Sequence, residues 1–320
     1  MRGRSSLWRF LLRLLLVVLT LAVLVTAGAW VLLNQVFNGP SPAARDALTL
    51  SLSEKKATAW IPGIFLDDTA VAEILESAKT ASPDQTTDPS LISLSPDPAF
   101  WQDCPQGIRA EQYRGEGFIA HILLIQDPGR MYLSHSPEGS KIADQLRLEN
   151  VAAAIYASAG SDLLISKGSL LASGAVQNGF CGFSSDNVLI LSGSMTAEKA
   201  QELAIRDGCG CGMILILNGQ INEGAYNANS GFSPRTCIGQ RSDGTVVLLT
   251  IDGLSADSIG GSWRNCIDIL FEYGCVNACS LDGVPAAMLW DGRMIHSDSL
   301  PRPEAAQLPD FWMVRPGKEG

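Results

Sequence analysis

The sequence predicts an α+β protein: one N-terminal transmembrane helix followed by a strand-rich, mixed α+β domain. Two observations carry this. An almost unbroken apolar run fills 14–33 behind a cluster of arginines. From Phe118 onward, short apolar segments alternate with glycine and polar turns, and only two stretches have helical spacing.

The apolar run is broken only by Thr20, Thr26 and Gly28. It meets the roughly 20 residues a helix needs to cross a bilayer, and a helix satisfies its own backbone where water is absent. Arg2, Arg4, Arg9 and Arg13 all precede it, whereas the far flank offers Arg45 and then Lys55 and Lys56. The positive-inside rule puts the N-terminus in the cytoplasm and the body outside, in a single-pass cell-membrane protein. A cleaved signal peptide is the rival, because Ala27-Gly28-Ala29 has a small-x-small pattern. Trp30, Val31, Leu32 and Leu33 continue the run past that point and favour a retained anchor. The expected organisation is a basic cytoplasmic tail (1–13), a transmembrane helix (14–36), a membrane-proximal helix and linker (37–116) and the main domain (117–316).

Within the membrane-proximal part, Asn38-Gly-Pro-Ser-Pro42 reads as a break. Residues 70–79 read as a helix capped by Asp67, Asp68 or Thr69. Residues 82–98, rich in Ser, Thr, Pro and Asp, read as a solvated linker. Strands are expected at 118–125, 151–156, 188–191, 213–217, 246–251 and 286–290. Helices are expected at 196–206, closing near Gly208, and at 263–273, opened by Ser262 and stopped at Gly274.

Composition narrows the function. The net charge is −10 although the anchor segment is basic, so the body is acidic and repels nucleic acid. Eight cysteines outside the cytoplasm are candidates for disulfides; buried free thiols are the alternative for those in apolar runs, such as Cys237 and Cys266. Cys209-Gly-Cys211 and Cys275-x-x-x-Cys279 make no convincing zinc pattern with only His121, His135 and His296 available, and no metal ligand is named.

Three stretches carry more polar turn formers than a core strand requires. In Ser233-Pro-Arg-Thr-Cys-Ile-Gly239, Arg235 at a strand mouth could hold a phosphate or carboxylate with two parallel hydrogen bonds; a lone arginine is more often a surface ion pair. Thr250-Ile-Asp-Gly253 and Ser280-Leu-Asp-Gly283 each end an apolar strand in an aspartate, a turn cap or a general base. Asp243 in Ser242-Asp-Gly244 reads as a hairpin turn, and His296 as a surface histidine.

The order of these motifs resembles the phosphodiester glycosidases, a family whose bacterial members are often labelled exopolysaccharide biosynthesis proteins. The resemblance runs from Gly117 to Val314 and is densest in 234–253, in Ser258-Ile-Gly-Gly and in Tyr273-Gly-Cys-Val-Asn-Ala-Cys-Ser-Leu-Asp-Gly283. It implies hydrolysis of sugar-1-phosphodiesters in a glycan or sugar-phosphate polymer, with Asp282 and Asp252 as acid/base candidates and Arg235 on the phosphate. Thr236, Gly253 and Gly283 would line the substrate. The sequence departs from the family pattern at Leu254, where the family has arginine, and at Val284-Pro-Ala286, where it has Gly-Ser-Ser. Two functions therefore stay open: a membrane-anchored hydrolase, or a silent relative that binds glycan or a partner protein. No cofactor is named, and a divalent cation near the aspartates stays open.

Overall fold

A computed structural model describes residues 3–53, 57–77, 85–104, 106–142, 144, 151–158, 160–177, 179–228, 230–253, 255–281, 288–295 and 307–317. The chain divides into two compact units, Met1–Glu76 and Ser77–Gly320.

The first unit is helical. Helix α1 (Gly3–Phe37) contains a stretch, Leu11–Phe37, that is long and apolar enough to cross a membrane. Its two threonines hide their polarity by donating to carbonyls one turn back, Thr20 to Leu16 at 2.8 Å and Thr26 to Ala22 at 2.7 Å. Helix α2 (Pro42–Ser53) follows the glycine–proline break, and a short helix α3 (Pro62–Phe65) returns to α1. There the Phe65 ring stacks on Phe37 at 4.8 Å and meets Trp30 at 4.9 Å. Helix α4 (Asp68–Ser77) starts where Asp67 Oδ1 accepts from the Ala70 amide at 2.7 Å. The expected Asp67 cap is thus present, with the helix beginning two residues early.

The second unit contains three antiparallel sheets, with strands numbered along the chain. The largest runs β1 (Ile108–Gly115), β2 (Phe118–Ile125), β13 (Val246–Ile251), β12 (Arg235–Arg241), β14 (Cys275–Ser280), β10 (Ile214–Leu217), β11 (Gln220–Ile221). A second runs β16 (Arg293–Ile295), β15 (Met288–Trp290), β4 (Ala153–Ser158), β17 (Leu308–Val314), β3 (Met131–Ser140). The third runs β6 (Ser169–Ser173), β5 (Leu163–Ser166), β9 (Ile205–Gly210), β7 (Phe180–Ser184), β8 (Leu189–Ser192).

Side chains alternate across a strand, and the seven-stranded sheet buries both faces. One face, bearing Leu123, Ile238, Leu248 and Cys279, meets Leu133, Ile155 and Trp312 of the second sheet and Cys181 and Phe183 of the third in one continuous core. The opposite face, bearing Ile122, Cys237, Leu249 and Ala278, is covered by helix α7 (Trp263–Glu272) through Cys266, Ile267, Ile269 and Leu270. Helix α7 opens with a capping box between Ser262 and Asn265, and Gly274 at φ +78° turns the chain into β14. Helices α5 (Ala197–Glu202) and α6 (Glu223–Asn227) are short.

Two expectations need correction. The helix expected over 196–206 stops at Glu202. Ala204 takes φ +49°, and Ile205 already starts β9, because Arg206 Nη1 donates to the Met131 carbonyl at 2.6 Å and Asp207 accepts from the Leu133 and Lys167 amides. The linker expected over 82–98 is bound to the domain from residue 86 onward. Thr87 exchanges hydrogen bonds with Leu191, Asp88 donates its amide to Asn218, Ser93 bonds Ser242, and Ile92 is buried. Asp243 makes the expected turn, taking the Thr245 amide at 3.0 Å while Gly244 adopts φ +91°.

Candidate active site at the strand ends

Three neighbouring strands place three polar side chains in one row. His121 on β2 is the register partner of Thr250 on β13, and Thr250 is the partner of Thr236 on β12. The row continues the alternation of Leu123, Leu248 and Ile238, so it faces the core between the sheets. Thr236 and Thr250 are buried, and their hydroxyls have no hydrogen-bond partner among the described residues.

Asp252 stands two residues beyond Thr250 on this face and is 1 % exposed. Its Oδ2 lies 3.1 Å from His121 Nε2. Its backbone is fixed on both sides: the amide donates to the Ile119 carbonyl at 2.9 Å, and its carbonyl accepts from Ser258 Oγ at 2.9 Å. A carboxylate and an imidazole so buried are held for each other. Leu281, the residue after β14, donates its amide to the Thr236 carbonyl at 2.8 Å. Asp282 and Gly283 themselves lie outside the described residues, as do Leu254, Val284, Pro285, Ala286 and His296.

Arg235 is placed differently. It precedes Thr236 by one residue, and the pleat sends it to the opposite face, where its strand partner is Ile251. Its Nε donates to the Gly261 carbonyl at 3.0 Å and its Nη2 to the Ser230 carbonyl at 2.8 Å. The guanidinium also stands 5.7 Å from the Trp263 ring. Asp252 and Thr236 are therefore brought together, and Arg235 is turned to the chain's own carbonyls beside α7. Gly253 is needed for packing: a Cβ there would lie 2.5 Å from Pro234 Cγ.

A second buried carboxylate faces the same core from the second sheet. Asp310 is wholly buried, accepts from Ser158 Oγ at 2.5 Å and lies 2.7 Å from His135 Nδ1. His121 sits four residues before the end of β2, and His135 four residues after the start of β3. Those two ends are joined by the short connection 126–130, so both His–Asp pairs lie away from it. Residues 159, 254 and 282–287, next to these strand ends, are not among those described.

Sequence reasoning missed His121, His135, Ser158 and Asp310. His121 did leave a signal. It is the one polar residue in an otherwise apolar eight-residue strand, in phase with Ile119, Leu123 and Ile125, and a buried polar group requires a partner.

All eight cysteines are free thiols, and all but Cys104 are buried. Four of them converge. Cys181 and Cys209 are register partners on β7 and β9, Cys211 follows one residue after β9, and Cys279 comes from β14. The sulfurs of Cys181, Cys211 and Cys279 lie within 4.8 Å of one another. Hydrogen bonds from Cys209, Cys211 and Cys279 pull the Cys181 thiol well below its usual range. Contact with Cys181 and burial push Cys209 up; burial and the same contact push Cys279 up. The fold thus assembles from distant strands a thiol group that cysteine spacing did not reveal.

With sheets, core and strand-end row in place, the family is clear: the phosphodiester glycosidase model matches residues 147–315, over half of the chain, and the chain belongs to that family. The zebrafish N-acetylglucosamine-1-phosphodiester α-N-acetylglucosaminidase catalytic domain, auto-inhibited by its pro-peptide, shares the fold. It superposes with a TM-score of 0.54 at 18 % identity, over 72 % of this chain and 87 % of that one. A hypothetical protein from Synechocystis aligns with a TM-score of 0.46 at 14 % identity, over 65 % of this chain and 62 % of its own. The SPbeta prophage-derived uncharacterized protein YomE of Bacillus subtilis (strain 168) is 48 % identical over 50 residues. That match covers 16 % of this chain and only 8 % of YomE's length.

Proposed function

We propose that this domain hydrolyses a sugar-1-phosphodiester in a cell-surface glycan or sugar-phosphate polymer, outside the cytoplasm, while α1 stays in the membrane as a single-pass anchor. The observation that carries the reading is the buried His121–Asp252 pair at the end of β13, beside the strand end from which Asp282 follows.

In the reaction the bond between sugar C1 and the phosphate oxygen breaks. Water adds to C1, and the phosphate leaves as a monoester. Asp252, held against His121, is a carboxylate able to accept the water proton or to stabilise positive charge at C1; Asp282 supplies the complementary acid or base. The Thr236 hydroxyl, buried without a partner among the described residues, is a donor for a sugar or phosphate oxygen entering at the strand ends.

One observation favours a silent, glycan-binding relative instead. Arg235, the expected phosphate ligand, already spends donors on Gly261 and Ser230. Losing a donor to the developing charge costs about 3–4 kcal/mol of transition-state stabilisation. The deciding experiment is hydrolysis of simple sugar-1-phosphodiesters by the full chain in detergent. Turnover that falls by about 100-fold or more in Asp252→Asn supports the hydrolase. A folded wild type that turns over none of several sugars assigns the domain to binding.

A further inference from the structure

We propose that Cys181, Cys209, Cys211 and Cys279 form a thiolate site for one thiophilic d10 metal ion, for which zinc is the natural probe. The four come from three strands of two sheets and project into one core. Cys209, the register partner of Cys181 on β9, lies outside the tight group of three sulfurs and stands beside Cys181 as the fourth ligand. In a tetrahedral zinc–thiolate centre with Zn–S of about 2.3 Å, the sulfurs stand about 3.8 Å apart. The three sulfurs already within 4.8 Å of one another need shift by no more than about 1 Å per pair to reach that spacing.

Three features fit a metal site. Cys181 is the common neighbour of the other three, an arrangement suited to a shared centre. The Trp312 indole N–H, fully buried and without a nitrogen or oxygen partner among the described residues, lies beside Cys181 and would donate to a metal-bound thiolate. Asp310, close enough to Cys209 to act on it electrostatically, adds negative charge that a cation would offset. On binding, each coordinated sulfur gives up its proton to solvent. The ion would join the third sheet to β14, two residues before Leu281, and so steady the strand from which Asp282 follows.

The test uses the full chain purified in detergent, loaded with zinc and passed through gel filtration. One zinc per chain is expected by elemental analysis. It should be lost in Cys181→Ser and in Cys279→Ser and kept in Cys104→Ser, whose thiol stands apart from the cluster. Cobalt loading of the wild type should give the sulfur-to-cobalt charge-transfer band, which decides the matter even if a serine variant does not fold. Eight titratable thiols in the denatured protein with no metal retained would overturn the proposal. So would fewer thiols restored by reductant, the mark of disulfides, or a zinc content unchanged in Cys181→Ser.

Discussion

Asp310 illustrates how single residues carry the interior of this domain. A wholly buried carboxylate is tolerated because Ser158 and His135 both face it, at 2.5 and 2.7 Å. Replacing it with alanine strands both partners and leaves a cavity between β17 and β4. Asp310→Ala should lower the unfolding free energy by about 3 kcal/mol, measured by urea denaturation of the detergent-solubilised chain. Asp252→Asn is expected to behave differently, keeping shape and stability while removing the charge next to His121. At this scale the sequence was readable in part. Asp252 and Thr236 were expected at the site because each stands at a strand mouth in a recognisable motif, and both are buried. His135, Ser158 and Asp310 could not, because their meeting depends on β17 pairing with both β3 and β4 across more than 150 residues. Arg235, expected on the phosphate, is placed by strand alternation next to Thr236 on the other face.

Among the elements, local chemistry predicted best where one signal stood alone. Helix α7 has Ser262 before it, Asn265 three residues on, an apolar stripe and a closing glycine, and it forms within one residue of expectation. Its cap bonds Asn265 within the first turn rather than His121 or Asp252, so Ser262→Ala should cost about 1 kcal/mol of stability and leave turnover unchanged. Thermal unfolding beside an activity assay checks both halves. The strands at 118–125 and 246–251 were equally plain, being buried on both faces and apolar but for His121 and Thr250. Strand β3 was not, since its far half reads Ser-His-Ser-Pro-Glu-Gly-Ser and is held by pairing with β17 rather than by its own composition. Strand β9 was taken for the end of a helix because Ile205 and Arg206 suit either state, and it is the ties of Arg206 and Asp207 to β3 that decide. The polar stretch after residue 85 looked like linker for a related reason: its hydroxyls and amides find partners only in the folded domain.

At the level of the molecule, the apolar stretch of α1, long enough to cross a membrane, precedes an acidic phosphodiester glycosidase domain. If the anchor is retained, the full chain should resist alkaline extraction from membranes, and protease added outside should degrade the body while an N-terminal tag stays protected. Soluble protein beginning after Ala29 would instead reveal a cleaved signal. The architecture as a class, an apolar helix and a strand-rich α+β domain, was legible from periodicity and turn chemistry. The three-sheet arrangement was not, because which strand lies beside which is decided by burial between segments far apart.

Strand β17 lies inside its sheet, with β4 on one side and the edge strand β3 on the other. Until residues 308–314 arrive, those two strands are not neighbours; each has an open edge able to pair with any other extended chain. This sheet cannot therefore close piece by piece as the chain is made. It waits, with β3 and β4 apart, for a strand that arrives late. Such high contact order makes for slow closure, and the waiting interval is when proteases or aggregation can take the chain. A chain truncated before residue 308 would be destroyed rather than merely weakened.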